Sequence, residues 1–373
     1  MFDAMFCTPA VLSATDADAW LREMLRVEAA LARAGATVGL IPADDAASIG
    51  SACVPELFDA AELGARAVAS ATPVVPLLLD LRARVPQASA RFVHLGATSQ
   101  DVMDTALVLI ARRCADLILG DLWAVGDLLA DLADRHRGTA QIGRTLLRQA
   151  VPTSFGVVCA GWLAGVDEAV AGLVRARGRL PLQYGGPVGV HDTLGAAGPR
   201  LAEALGELLG LPVPTLPWHT RRGPLAELGA ALGAVGGALA TIATAIVLLS
   251  QDEVAEVAEG AAGVSSAMPH KRNPARSALV LACTHQIPGL VATVLASQPV
   301  ELQRSAGRWQ AEWPTLTTLL RLTAAAAGHA RAALGSLRVD AERMITTAGR
   351  PVLPEAADLL VDRVLEEHRA ARP

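Results

Sequence analysis

Residues 228–250 read LGAALGAVGGALATIATAIVLLS, with no charged side chain. The stretch is long enough to cross a bilayer. About half of it is Ala, Gly and Thr, however, and Gln251-Asp252-Glu253 follows at once. Small residues let helix backbones approach closely in water as well as in lipid, so composition alone does not separate the two settings. The polar triplet directly after it favours a buried helix inside a bundle, and no membrane partner is expected.

The rest of the chain fits that reading. Of its 373 residues, 52% are hydrophobic but only 3% aromatic. A core of Ala, Leu and Val suits closely packed helices better than sandwiches or barrels. The formal net charge is -5 with no basic tail, which disfavours a nucleic-acid partner. Five scattered cysteines without a CxxC pair read as reduced thiols of a cytoplasmic protein, not as a zinc site or disulfide frame. The N-terminus shows no basic region followed by an apolar run, so no signal peptide is expected.

Apolar spacing predicts helices over Asp16–Ala34 (with Thr15 as N-cap), Glu56–Ala69, Pro73–Val85 and Gln100–Ala133. A break over Arg137–Arg148 leads into another long helix through Arg177. A tight glycine-rich turn is expected at Gln183–Gly189, and a loop at Pro212–Pro217. A long helix over Pro224–Glu259 would carry Asp252 and Glu253. After a Gly/Ser/Pro loop, helix resumes from Ala275, and the last clear helix spans Pro354–His368.

That loop holds the strongest functional signal. The chain has 32 Lys plus Arg, yet Lys271 is its only lysine and Asn273 its only asparagine. Both lie in Ser265-Ser266-Ala267-Met268-Pro269-His270-Lys271-Arg272-Asn273-Pro274. Lysine is a compact ammonium with three movable donors, whereas arginine is a broad planar fork. A point charge and an amide suit a carboxylate that gains enolate character when the neighbouring carbon exchanges a proton. Ser265 supplies a candidate proton-transferring oxygen, on a loop able to close over substrate.

SSAMPHKRNP resembles the signature of the fumarase/aspartase superfamily. Two further blocks are similar to its other conserved regions: His94-Leu95-Gly96-Ala97-Thr98-Ser99-Gln100-Asp101 and Gly143-Arg144-Thr145-Leu146-Leu147-Arg148-Gln149-Ala150. The resemblance implies an all-α, three-part fold. An N-terminal helical domain would cover 1–93, a central long-helix bundle 94–335 and a shortened C-terminal helical domain 336–373. It also implies a homotetramer in which the three regions converge from three subunits.

Most relatives have a catalytic His in the second region where this chain has Leu146, and a Gln where it has Arg148. That replacement resembles the bacterial 3-carboxy-cis,cis-muconate cycloisomerase branch, as do Pro217-Trp218-His219-Thr220 and Trp309-Gln310-Ala311-Glu312-Trp313. The branch implies Ser265, Lys271 and Asn273 as catalytic residues. A small polycarboxylate would be bound by His94, Thr98, Ser99, Thr145, Arg148, Gln149 and Arg304. His270 is expected to stabilise the loop, Trp309 and Trp313 to pack in the core, and His219 either to approach substrate or to cap a helix. No metal-ligand cluster or nucleotide motif stands in the sequence, so no cofactor is expected. Departures from the branch are Val264 in place of Gly and Leu302-Gln303 before Arg304. Two rival readings stay open: a superfamily lyase acting on another acidic substrate, and a structural subunit without activity.

Overall fold

The computed structural model describes residues 1–260, 263–268 and 270–372; Ala261, Ala262, the motif residue Pro269 and Pro373 lie outside the described residues. The chain opens with α1 (Asp3–Phe6), α2 (Pro9–Thr15) and α3 (Ala17–Thr37). The cap of α3 is Asp16, whose carboxylate accepts the Ala19 N–H at 2.8 Å, rather than the expected Thr15. Thr15 instead turns its hydroxyl back onto the Val11 carbonyl inside α2. Short helices follow: α4 (Ala43–Ala52), α5 (Ala60–Ala67), α6 (Val74–Arg84) and α7 (Gln87–Ala90).

The body is built on long helices. They are α8 (Ser99–Arg135), then, after the strands β1 (Ala140–Thr145) and β2 (Arg148–Ser154), α9 (Phe155–Gly178). Next come α10 (Ala197–Leu209) and α11 (Gly223–Leu249). Short strands β3 (Val257–Glu259), β4 (Gly263–Val264) and β5 (Arg272–Asn273) precede α12 (Ala275–Thr284) and α13 (Ile287–Ala296). The chain continues through α14 (Arg308–Gly335), β6 (Leu337–Val339), α15 (Ala341–Ala348) and α16 (Ala356–Ala370). The fold is thus helical, as expected, with small antiparallel ladders β1–β2, β3–β6 and β4–β5 added at one end.

Two further expectations need correction. The break over 137–148 is the first half of a β-hairpin, so α9 starts only at Phe155. The helix expected to reach Glu259 ends at Leu249, and Asp252 and Glu253 lie in the turn after it. There Glu256 N–H returns to the Leu249 carbonyl, which diverts the chain. Helix α10, between the glycine-rich turn and the proline loop, was not anticipated.

The small residues of α11 have a packing reason. Added Cβ atoms on Gly229, Gly233 and Gly236 would meet Val294, Val291 and Ile287 of α13 at 3.3, 3.2 and 2.9 Å. The glycines therefore form one face against which α13 lies. At the turn into α9, a Cβ on Gly156 would stand 2.6 Å from the Ala133 carbonyl, so only glycine lets α9 close onto the end of α8. By length and composition alone, α9, α11 and the α12–α13 segment are each apolar enough to cross a membrane. Within one chain, 39%, 44% and 28% of these windows is buried, so much of their apolar surface stays uncovered.

Helix direction places the site residues. Asp104 in α8, Arg222 at the start of α11 and Glu312 in the first turns of α14 form one buried ion cluster. Those three helices therefore begin at the same end. At the other end, the Gly260 N–H donates to the Ser336 carbonyl after α14, and the β1–β2 hairpin projects beyond α8. At ~1.5 Å per residue, the 27 residues of α11 hold the two ends ~40 Å apart.

Candidate active site

At the first end, Thr98 caps the 37-residue helix α8, whose unpaired N–H groups favour an anion. Arg304 donates from Nη2 to Thr98 Oγ1 at 2.8 Å and to the Pro187 carbonyl at 3.2 Å. Its Nε is buried without a hydrogen-bond partner among the described residues. Among the described residues no carboxylate pairs with Arg304. Ser99, half-buried, opens the helix beside Thr98. His94 belongs to the same turn and holds a left-handed backbone, φ 66°. Its Nδ1 lies 2.6 Å from Oε1 of Glu28.

This turn is fixed from behind by Asp101. One of its oxygens accepts the N–H groups of Thr98 and Gly186 at 3.0 and 2.9 Å. The other meets His219 Nε2 at 2.7 Å and Gln183 Nε2 at 3.0 Å. Burial raises the Asp101 carboxyl's pKa, but these hydrogen bonds outweigh it and hold it below the usual carboxylate range. His219 is therefore a buried positioning group for the glycine-rich turn, not an exposed one. Arg222 is packed over the Trp218 ring and paired with both Asp104 and Glu312. Trp309 packs edge-on against Trp313 and adds an indole N–H to Asp104 at 3.0 Å. Sequence reasoning placed Trp309 and Trp313 in the core but gave Arg222 no partner. Its two carboxylates lie 118 and 90 positions away and carry no local signal.

At the second end, β4 and β5 pair Gly263 with Asn273 and Val264 with Arg272, so the stems of the serine loop are zipped together. Val264 takes an extended, exposed strand position there, which a β-branched residue fills readily. Buried Glu259 anchors the exit. Its carboxylate accepts the Arg276 and Ser277 N–H groups of α12 at 3.0 and 2.8 Å, and the Ser277 hydroxyl at 2.6 Å. Within the loop, Ser265 Oγ accepts N–H groups from Ala267 at 3.4 Å and Met268 at 3.1 Å. Two donors aimed at one hydroxyl oxygen favour its anionic form. Lys271, His270 and Asn273 line an open cleft of about 1190 Å³, whose far wall includes Asp340 and Glu342. The exposed Lys271 has no ion-pair partner among the described residues.

The β1–β2 hairpin stands at the same end. Its turn residues Leu146 and Leu147 both have positive φ, 49° and 61°, and are 97% and 76% exposed. Thr145 pairs with Arg148, and Gln149 with Arg144. Arg148 is exposed and without a carboxylate partner among the described residues. Arg144 instead forks onto the buried Glu256 at 2.6 and 3.1 Å, which ties the hairpin to the segment leading into the serine loop. Neither Glu256 nor Glu259 was singled out from the sequence. Each is an isolated acid whose role depends on a distant partner.

One chain therefore joins Thr98 to Arg304 and places the hairpin at the end of the bundle that carries the serine loop, but it does not bring the two ends together. None of His94, Thr98, Ser99 or Arg304 lines the cleft beside Lys271. Among the described residues no group of three His, Cys, Asp or Glu is placed to hold a metal ion.

A family model described as lyase matches residues 12–289. The chain belongs to this lyase family. It is the fumarase/aspartase superfamily whose three motifs the sequence carries. This lyase is 42% identical over 373 residues to a 3-carboxy-cis,cis-muconate cycloisomerase of Pseudomonas aeruginosa, covering 97% of this chain and 81% of the relative. It is 40% identical to a nitrosuccinate lyase of Streptomyces davaonensis, covering 90% and 74%. Among solved structures, the 3-carboxy-cis,cis-muconate lactonizing enzyme from Pseudomonas putida superposes with a TM-score of 0.89 at 36% identity, covering 100% of this chain and 89% of that one.

Proposed function

We propose that this lyase is a 3-carboxy-cis,cis-muconate cycloisomerase, a soluble cytoplasmic enzyme of aromatic catabolism that forms 4-carboxymuconolactone. The observation that carries the reading is Leu146, exposed at the hairpin turn in the position of the superfamily's catalytic histidine, while Ser265, Lys271 and Asn273 are all retained. Lactone formation needs only one proton transfer. A substrate carboxylate oxygen bonds to a diene carbon, and the π electrons move toward the neighbouring carboxylate-bearing carbon. That carbon then takes one proton. The attacking carboxylate is already ionised, so no second acid–base group is required and a leucine costs nothing.

In this mechanism Ser265 moves the proton at carbon, with its oxygen held by the Ala267 and Met268 N–H groups. Lys271 and Asn273 stabilise the charge that develops on the carboxylate. His94, Thr98, Ser99, Arg304, Thr145, Arg148 and Gln149 hold the remaining carboxylates. The reading requires several copies. The ~40 Å between the two ends of α11 is spanned only if the serine loop of one copy meets Thr98 of another, and the family resemblance implies that the hairpin comes from a third. The uncovered apolar faces of α9, α11 and α12–α13 supply the surface for such a homotetramer.

Loss of the diene ultraviolet absorbance of 3-carboxymuconate tests the activity. Wild type should consume it, and Ser265→Ala should lower kcat by about 100-fold or more. A second reading has its own support: nitrite, like carboxylate, leaves as a weakly basic anion, so Leu146 also suits elimination from nitrosuccinate, the substrate in the name of the second relative. Turnover of nitrosuccinate with none of 3-carboxymuconate would replace the first reading by the second.

A further inference from the structure

The Glu28–His94 pair has no place in the family motifs, because Glu28 lies in α3, 66 positions before the histidine. Glu28 is 1% exposed. One oxygen meets His94 Nδ1 at 2.6 Å, and the other has no hydrogen-bond partner among the described residues. A buried carboxylate left unpaired is costly, so the imidazole is the group that compensates it. The contact also sets the ring. With Nδ1–H donating to Glu28, Nε2 is the nitrogen left for another partner.

The backbone is committed to this arrangement as well. A left-handed φ of 66° is uncommon for a non-glycine residue and persists only where surroundings hold it. The holding groups come from several elements. Arg82 of α6 donates to the Val93 carbonyl at 3.3 Å, and the Tyr184 hydroxyl donates to the Leu95 carbonyl at 2.9 Å. Asp101 and Arg304 meet at Thr98. Cys53 also lies near Glu28: its thiol is pushed up to about 12, by burial first and then by the Glu28 charge.

We infer that Glu28 is a positioning residue that orients His94, so that its Nε2 is turned toward the substrate. The inference rests on the function proposed above. It sets His94 beside Arg304 and the α8 N-terminus as one face for a polycarboxylate, and it assigns Glu28 a part in affinity rather than in proton transfer.

The test measures kcat and KM on 3-carboxymuconate for wild type, Glu28→Gln, His94→Asn and the double variant. Asparagine tolerates the left-handed backbone and keeps an amide toward Glu28, but it lacks Nε2. His94→Asn should raise KM about tenfold with kcat within about threefold. Glu28→Gln should lower kcat/KM by about tenfold through KM. Because Glu28 acts through His94, the double variant should match His94→Asn alone within about twofold. Losses that multiply, or unchanged KM with only a lower melting temperature, would overturn the inference. If Glu28→Gln does not fold, Glu28→Asp, which keeps the charge and withdraws it from Nδ1, takes its place in the same comparison. A wild type inactive on 3-carboxymuconate sinks the proposed function and this inference with it, whereas an active wild type with multiplying losses sinks the inference only.

Discussion

Arg304 Nη2 donates to Thr98 Oγ1 at 2.8 Å across 206 positions of sequence, so one end of the bundle carries a fixed cation at the start of its longest helix. The guanidinium also reaches the Pro187 carbonyl, and a planar fork makes both contacts at once. Arg304→Lys keeps the charge and loses the fork. It should raise KM about tenfold while leaving kcat within about threefold, read from saturation curves. An unchanged KM would remove Arg304 from substrate binding.

The hairpin turn stores strain that can be measured. Leu146 and Leu147 occupy left-handed backbone, which costs a non-glycine residue about 1 kcal/mol. Asparagine adopts that geometry more readily. Leu147→Asn should therefore raise stability by about 0.5 kcal/mol in urea unfolding if the leucine serves no interface. If a second copy covers the leucine, as the proposed assembly requires, the same variant should weaken the tetramer in sedimentation velocity.

Arg222 is the single cation among Asp104 and Glu312, all three fully buried. Burial already raises the Glu312 carboxyl, and Arg222 opposes that rise. Arg222→Met leaves two carboxylates facing each other and should cost about 3–5 kcal/mol. A carboxyl whose folded pKa is raised disfavours folding as pH climbs through the carboxylate range. The stability deficit of Arg222→Met should therefore shrink as pH falls from about 7 toward 5, when the unpaired acids take up protons. A deficit independent of pH would contradict this account.

His329 has its tautomer set by its partners. Arg276 donates to Nδ1 at 3.1 Å, which leaves Nε2–H to donate to the Met5 carbonyl at 2.9 Å. Burial, with the Arg276 charge adding to it, holds its pKa below the usual imidazole value of 6.5. A lowered folded pKa means that the unfolded chain binds the proton first. The stability from this neutral histidine is present above about pH 6.5 and declines as pH falls below it. His329→Gln should flatten that decline in melting temperature between about pH 7 and 5. An unaltered slope would place the pH dependence elsewhere.

Much of this was legible from residues alone. The single Lys271 and Asn273 marked the serine loop, because residue choice against the chain's own usage is a local signal. Apolar spacing marked the long helices, since a 3.6-residue period is read within one segment. The β1–β2 hairpin was not legible: its turn is made of two leucines in left-handed backbone, where Gly or Asn would have announced it. The early end of α11 was hidden for a similar reason, as apolar and helix-forming residues continue past Leu249 while a tertiary hydrogen-bond pattern diverts the chain.

The sequence by itself determined which side chains this lyase has for chemistry: a serine, a lone lysine, a lone asparagine, and Leu146 at the position that resembles the histidine site of most of the superfamily. Only the tertiary structure decided how they are distributed. It paired Glu28 with His94, Arg144 with Glu256 and Arg222 with two carboxylates, because a buried charge must find its opposite wherever the packing brings it. It also placed Thr98 and Ser265 at opposite ends of the bundle. Helices ~40 Å long are rigid over their length, so residues at their two ends can meet only across separate copies of the chain.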